Sequence, residues 1–165
     1  QAQREDARVV EGNLMTTTLL FIETRSADKR MVLCQQVERF YEKGQRVLVV
    51  TDSTLAAQHL DLMLWTFSQP SFIPHRVVAA SLDTPLVEPV IVVPSPLVIH
   101  GYEVLVADSR VTLDFLQHFS TAVLFVLTDD PNQRQDSRLL WQGARDRGLA
   151  LQHIPYSPGN SPRSS

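Results

Sequence analysis

Apolar residues in this chain come in two kinds of pattern, short branched runs and stretches where they recur every three or four positions. The runs Thr18 to Glu23, Arg46 to Thr51, Val90 to Val93, Glu103 to Ala107 and Thr121 to Leu127 predict buried strands. Shorter or more polar runs at Arg76 to Ala80 and Leu149 to Ile154 predict two more. Between them, Leu33, Val37, Phe40 and Tyr41 mark a helix that Ser26 or Asp28 can cap and Gly44 ends. Ala56, Leu60, Met63, Leu64 and Phe67 mark a second helix behind Asp52 and Ser53, and Val111 to Phe119 predicts a short third. Asp129, Asp130 and Pro131 form a helix start, with acidic groups at the positive end of the dipole and Pro in the first turn. That fourth helix is expected to reach about Arg147, before Gly148. Strands alternating with helices imply βαβ units, hence an α/β fold with a mainly parallel sheet and helices on both faces.

The pattern also sets the domain limits. Residues 1–14 are polar, and Met15 directly precedes the first strand region, so 1–14 are expected to be an extension or cloning remnant. Residues 15–154 then form a single domain. Residues 155–165, rich in Pro and Ser, are expected to be a disordered tail.

Composition changes this picture little. With 165 residues, 44% hydrophobic and 20% charged, the chain can bury a core without a metal or disulfide. The single cysteine, Cys34, points to a reducing, cytoplasmic setting. It sits beside the first helix's apolar stripe and reads as a packed small hydrophobe. No apolar run approaches membrane-spanning length. The net charge of -3 argues against a dominant nucleic-acid footprint. The basic residues are nonetheless lopsided, 13 Arg against Lys29 and Lys43 alone. Arg forks suit carboxylates, so an Arg cluster raises the question of an acidic partner.

The usual α/β chemistry is missing. No glycine-rich loop follows the first strand (Thr24, Arg25, Ser26) or the second (Asp52, Ser53, Thr54). The five histidines are scattered and none pairs with Cys34 at ligand spacing. Asp52, Asp108 and Asp129 follow strands, where an α/β crevice opens, and serve as well for caps and loop starts. The chain is therefore expected to be no enzyme and to need no cofactor or metal. The competing possibility is a degenerate nucleotide-binding or helicase-like domain that keeps a small ligand near Asp52 and Asp108.

Two helices carry more than a core face needs. Trp65 falls opposite the second helix's core stripe, so it either packs under the loop of Phe72, Pro74 and His75 or anchors a partner. On the fourth helix Arg134, Arg138, Trp141 and Arg145 are spaced four, three and four apart and share a face. A Trp between Arg side chains gives an apolar floor with basic walls. That suits an acidic peptide with an apolar end, or a stacked single-stranded base, and the negative net charge favours the peptide.

These features together resemble the chi subunit of bacterial DNA polymerase III. The resemblance runs from about Met15 to Leu149. It rests on Gly44-x-Arg46 leading into Val47-Leu48-Val49, on Leu60-Asp61 through Leu64-Trp65, and on Ser71-Phe72-Ile73-Pro74-His75. A second match is Leu127 followed by the helix of Arg134, Arg138, Trp141 and Arg145, closed by Gly148. The resemblance implies a Rossmann-like domain without nucleotide binding or catalysis, and two partner surfaces. One would hold the acidic C-terminal tail of single-stranded DNA-binding protein, at Leu127, Arg134, Arg138, Trp141, Gln142 and Arg145. The family often has Tyr and Lys where this chain has Trp141 and Gln142; the floor is kept and a charge is lost. The other, at Trp65, Phe72, Pro74 and His75, would contact the psi subunit of the clamp loader or an iron–sulfur DNA helicase of the XPD type. The segment from Leu82 to Gly101, rich in Pro and Val, departs from the family pattern, and the tail after Pro155 is longer.

Overall fold

In the computed structural model, which describes residues 16–67, 72–78 and 86–156, each of the seven apolar runs contributes a strand to one sheet, residues 79–80 of the run expected over Arg76 to Ala80 lying outside the described residues. The elements in chain order are β1 (Thr18–Thr24), α1 (Lys29–Glu42), β2 (Val47–Val50), α2 (Thr54–Thr66), β3 (His75–Val77) and β4 (Val90–Val93). There follow β5 (Val104–Ala107), α3 (Leu113–Leu116), β6 (Thr121–Leu127), α4 (Pro131–Asp146) and β7 (Ala150–Ile154). The strand order is β3-β4-β2-β5-β6-β1-β7, and every neighbouring pair is parallel. This is a Rossmann-like α/β architecture.

The central strands β2, β4 and β5 are buried at every position, as parallel strands covered on both faces must be. Successive side chains alternate between two cores. Leu20 and Ile22 of β1 point to the core shared with Leu33, Val37 and Phe40 of α1 and Leu60 and Leu64 of α2. Leu19 and Phe21 point to the opposite core, closed by Leu116 of α3, Phe119, and Ala144 and Trp141 of α4. Cys34 is fully buried in the first of these.

Local signals explain most element ends. Ser53 Oγ accepts from the Ala56 amide at 3.0 Å and Asp130 Oδ1 from the Gln133 amide at 3.1 Å, capping α2 and α4. Pro131 occupies the first turn of α4. Gly44 and Gly148 end α1 and α4 with φ of +79° and +76°, where a side chain would be strained.

Two expectations differ from the structure. Neither Ser26 nor Asp28 caps α1 through its side chain. Ser26 instead donates its amide and hydroxyl to Asp129 Oδ1, at 3.0 and 2.8 Å, tying the end of β1 to the end of β6, and a turn of 3-10 helix over Ser26–Asp28 leads into α1. The third helix spans only Leu113–Leu116, capped by Thr112. Phe119 leaves the helical path to pack edge-on with Phe115 at 5.3 Å in the core, so tertiary burial overrides the helical spacing.

Candidate functional site

The last helix and the sheet edge form a groove. Among the described residues β7 pairs only with β1 and lies at the edge of the sheet. Trp141 of α4 is half-buried; its indole meets the Phe21 ring of β1 edge-on at 5.0 Å and faces His153 of β7 at 6.4 Å. Together with Val126, Ser137, Arg134, Arg138 and Glu23 these residues line a space of about 260 Å³. Phe21, Val126 and Trp141 make its apolar floor. Arg134 and Arg138, one turn apart on α4, make a basic wall, and both are exposed. Among the described residues the Arg134 guanidinium has no hydrogen bond, and that of Arg138 meets only Gln135 Oε1, at 3.5 Å. Their charge is available to a ligand.

The opposite wall is different. Glu23 Oε2 lies 2.8 Å from His153 Nε2, and Glu23 Oε1 accepts the Tyr156 amide at 2.9 Å. The Tyr156 amide above all, then His153 and the nearby Arg134 charge, hold the Glu23 carboxyl below the usual carboxylate range, against the opposing effect of burial. Tyr156 also lies within the segment expected to be a disordered tail, and here it is anchored; residues 157–165 lie outside the described residues.

A second surface gathers around α2. Trp65 is 45% exposed and Phe72 is 66% exposed; their rings lie 5.4 Å apart. Leu55 and Leu62 extend this apolar face along α2. His75 is buried: its Nδ1 faces the Ile73 carbonyl at 2.7 Å, and its Nε2 faces the Asp61 carbonyl at 3.1 Å and Asp61 Oδ1 at 3.0 Å. Its ring backs Trp65 at 4.1 Å. It therefore positions the tryptophan and presents little surface of its own. Pro74 is half-buried, and Ser71 lies outside the described residues.

The crevice at the strand ends, of about 560 Å³, includes Asp52 and Asp108 in its lining. The Asp108 carboxylate is already engaged, by Lys29 Nζ at 2.6 Å and Arg30 Nε at 3.4 Å, and its side chain is 1% exposed. Arg110 pairs with Asp136 at 3.3 Å, and Arg147 with Asp114 at 2.8 Å. Apart from the exposed Asp52, the charged side chains lining this crevice are paired with one another. Among the described residues no group of three His, Cys, Asp or Glu could hold a metal ion. No described helix is long and apolar enough to cross a membrane.

The family model described as DNA polymerase III chi subunit, HolC, matches residues 15–152. The chain belongs to the chi-subunit family. As a chi-family protein it is an accessory subunit of DNA polymerase III, with partners in that complex. No curated protein matches the chain. Among solved structures, the C-terminal domain of a Dbp5 variant from S. cerevisiae, bound to a Gle1 variant and IP6, is similar in fold. It shares 12% identity at a TM-score of 0.59, over 87% of this chain and 90% of that one.

Of the six positions that the chi resemblance assigns to one surface, the fold brings Arg134, Arg138 and Trp141 to the groove. Arg145 and Gln142 are exposed but lie outside its lining, Arg145 being a turn beyond Trp141. Leu127 is buried at the end of β6, its amide donating to Gln133 Oε1 at 2.7 Å; it fixes where α4 starts. Phe21, Glu23, Val126, Ser137 and His153 line the groove without having been singled out from the chi motifs. Glu23 and His153 are the polar ends of two strands otherwise read for their apolar residues, and that polarity was the available signal. Arg46 of the chi motif has a structural role. Its guanidinium donates to the Leu86 carbonyl at 2.9 Å and Tyr102 Oη at 2.7 Å, pinning the segment before β4.

Proposed function

We propose that this chi-family subunit is a non-catalytic adaptor whose groove holds the acidic C-terminal tail of single-stranded DNA-binding protein. The observation that carries this reading is the pairing of two unspent guanidiniums, Arg134 and Arg138, with the apolar floor of Phe21, Val126 and Trp141. A peptide ending in an apolar residue can seat that side chain on the floor. Its carboxylates, including the terminal one, then face the Arg wall, where charge-assisted hydrogen bonds contribute most. The exposed pair Trp65 and Phe72, with Leu62 beside them, supports a separate docking surface for the psi subunit or an XPD-type helicase. The two surfaces sit on different elements, α4 with the β1–β7 edge and α2 with the strand that follows it, so one protein can bridge two partners.

Calorimetric titration of the protein with an acidic tail peptide tests the first part. Saturable binding that is weakened by Arg138→Ala supports it; no binding at low salt overturns it. A nucleotide thermal-shift screen run alongside tests the competing crevice ligand, for which a stabilisation by nucleotide would be required.

A further inference from the structure

The groove has one feature that works against an acidic ligand. Glu23 puts a carboxylate in its lining, opposite Arg134 and Arg138. Both of its oxygens are held, one by the Tyr156 amide and one by His153 Nε2, so the side chain cannot simply swing away without losing these bonds. The Glu23 carboxylate also draws on the Arg134 charge that a peptide would use. Among the described residues His153 pairs with Glu23, and the charges facing this pair are Arg134 and Arg138 of α4, with the Trp141 ring packed beside His153.

We propose that Glu23 is a specificity-determining residue of the groove, held in place by His153 and the Tyr156 amide. Its carboxylate stands in the lining with Arg134 and Arg138 and opposes each incoming carboxylate. It also selects among ligands: a dense run of carboxylates suffers more from Glu23 than a peptide with a single terminal carboxylate. This inference rests on the acidic-peptide reading of the groove.

The test uses the full chain and an N-acetylated peptide of several aspartates ending in phenylalanine with a free carboxylate. A second peptide keeps the terminal carboxylate and has asparagine in place of each aspartate. Affinity is measured by calorimetry at constant pH and ionic strength. Glu23→Gln should bind the aspartate peptide about two- to fivefold tighter than wild type does, an exposed-pair magnitude, and the asparagine peptide with a smaller gain. No gain for the aspartate peptide, or an equal gain for both peptides, overturns the proposal. Arg138→Ala is carried in parallel. If it binds as wild type does, the groove reading itself fails; if it binds weakly while Glu23→Gln matches wild type, only the present inference fails. Absence of any binding removes both.

Discussion

The edge of the Trp141 indole meets the Phe21 ring at 5.0 Å, with the ring planes 68° apart. Phe21 belongs to the buried core of the sheet, and Trp141 spans from that core to the surface, so a binding floor is built directly on the fold. Edge-to-face aromatic pairs contribute about 0.5–1.5 kcal/mol beyond burial. Trp141→Ala should therefore lose peptide binding and also cost about 1–3 kcal/mol of stability, less than for a fully buried aromatic. Arg138→Ala should weaken the peptide about tenfold or more and leave stability within about 0.5 kcal/mol. Urea unfolding read beside calorimetry separates the two variants, and equal loss of stability in both would refute this division of roles.

Salt should act on part of the binding energy only. The Arg134 and Arg138 contributions are Coulombic and fall as the screening length shortens from about 8 Å at physiological ionic strength. The floor of Phe21, Val126 and Trp141 is apolar, and salt does not weaken it. Raising salt should reduce affinity to a plateau above zero. Amidating the peptide's C-terminus should reduce it further, and an amidated peptide that binds as tightly as the free acid would mean that no Arg reads the terminal carboxylate.

Phe72→Ala should remove the second partner and spare the first. Phe72 is 66% exposed, so its truncation is expected to be nearly neutral for folding, which circular dichroism checks before any binding is measured. An aromatic anchor at an interface costs about 2–4 kcal/mol of binding when truncated. In paired pull-downs Phe72→Ala should lose psi or helicase and keep the acidic-tail peptide, with Arg138→Ala the reverse. Loss of both partners in each variant would replace two surfaces by one.

The thiol of Cys34 offers a probe of the core. Burial above all, with the Asp108 charge behind it, pushes it up to about 12. The folded value lies above the unfolded one, so this group's contribution to stability is fully present below the unfolded value and lost as pH rises through about 12. Near neutral pH the folded protein should alkylate far more slowly than the urea-unfolded chain, since the thiolate is the nucleophile. Equal rates in the two states would show that the α1 face of the core opens freely.

Removing the Asp108 carboxylate should act on stability. Its partners Lys29 and Arg30 keep partial solvent access, so Asp108→Ala is expected to cost about 2–4 kcal/mol, somewhat under the loss for a wholly buried pair. Thermal unfolding measures this. A variant of unchanged stability would return Asp108 to the list of groups free to bind a ligand in the crevice.

The order and type of the elements were legible in the residues alone. Branched runs such as Val47–Val50 and Val90–Val93 have few other options than a strand covered on both faces. Pro131 behind Asp130, and Gly148 after the last turn, bracket α4 by local backbone chemistry that needs no distant contact. The shared face of Arg134, Arg138 and Trp141 also follows from helical spacing. The other half of the groove does not, because Phe21, Glu23 and His153 are brought to α4 only when β1 pairs with β7, some 130 positions apart in the chain. Spacing along one helix is a local property, whereas which strand edge that helix meets depends on sheet order. The same limit explains why His75, which could be read as part of a surface beside Trp65, is buried: its two ring nitrogens are claimed by Ile73 and by Asp61 from the facing helix. Sequence thus determined the elements, one wall of the site and the Trp141 part of its floor; packing between elements distant in the chain decided the Phe21 and Val126 part of the floor, the opposing Glu23–His153 wall, and which of the flagged residues remain free to touch a partner.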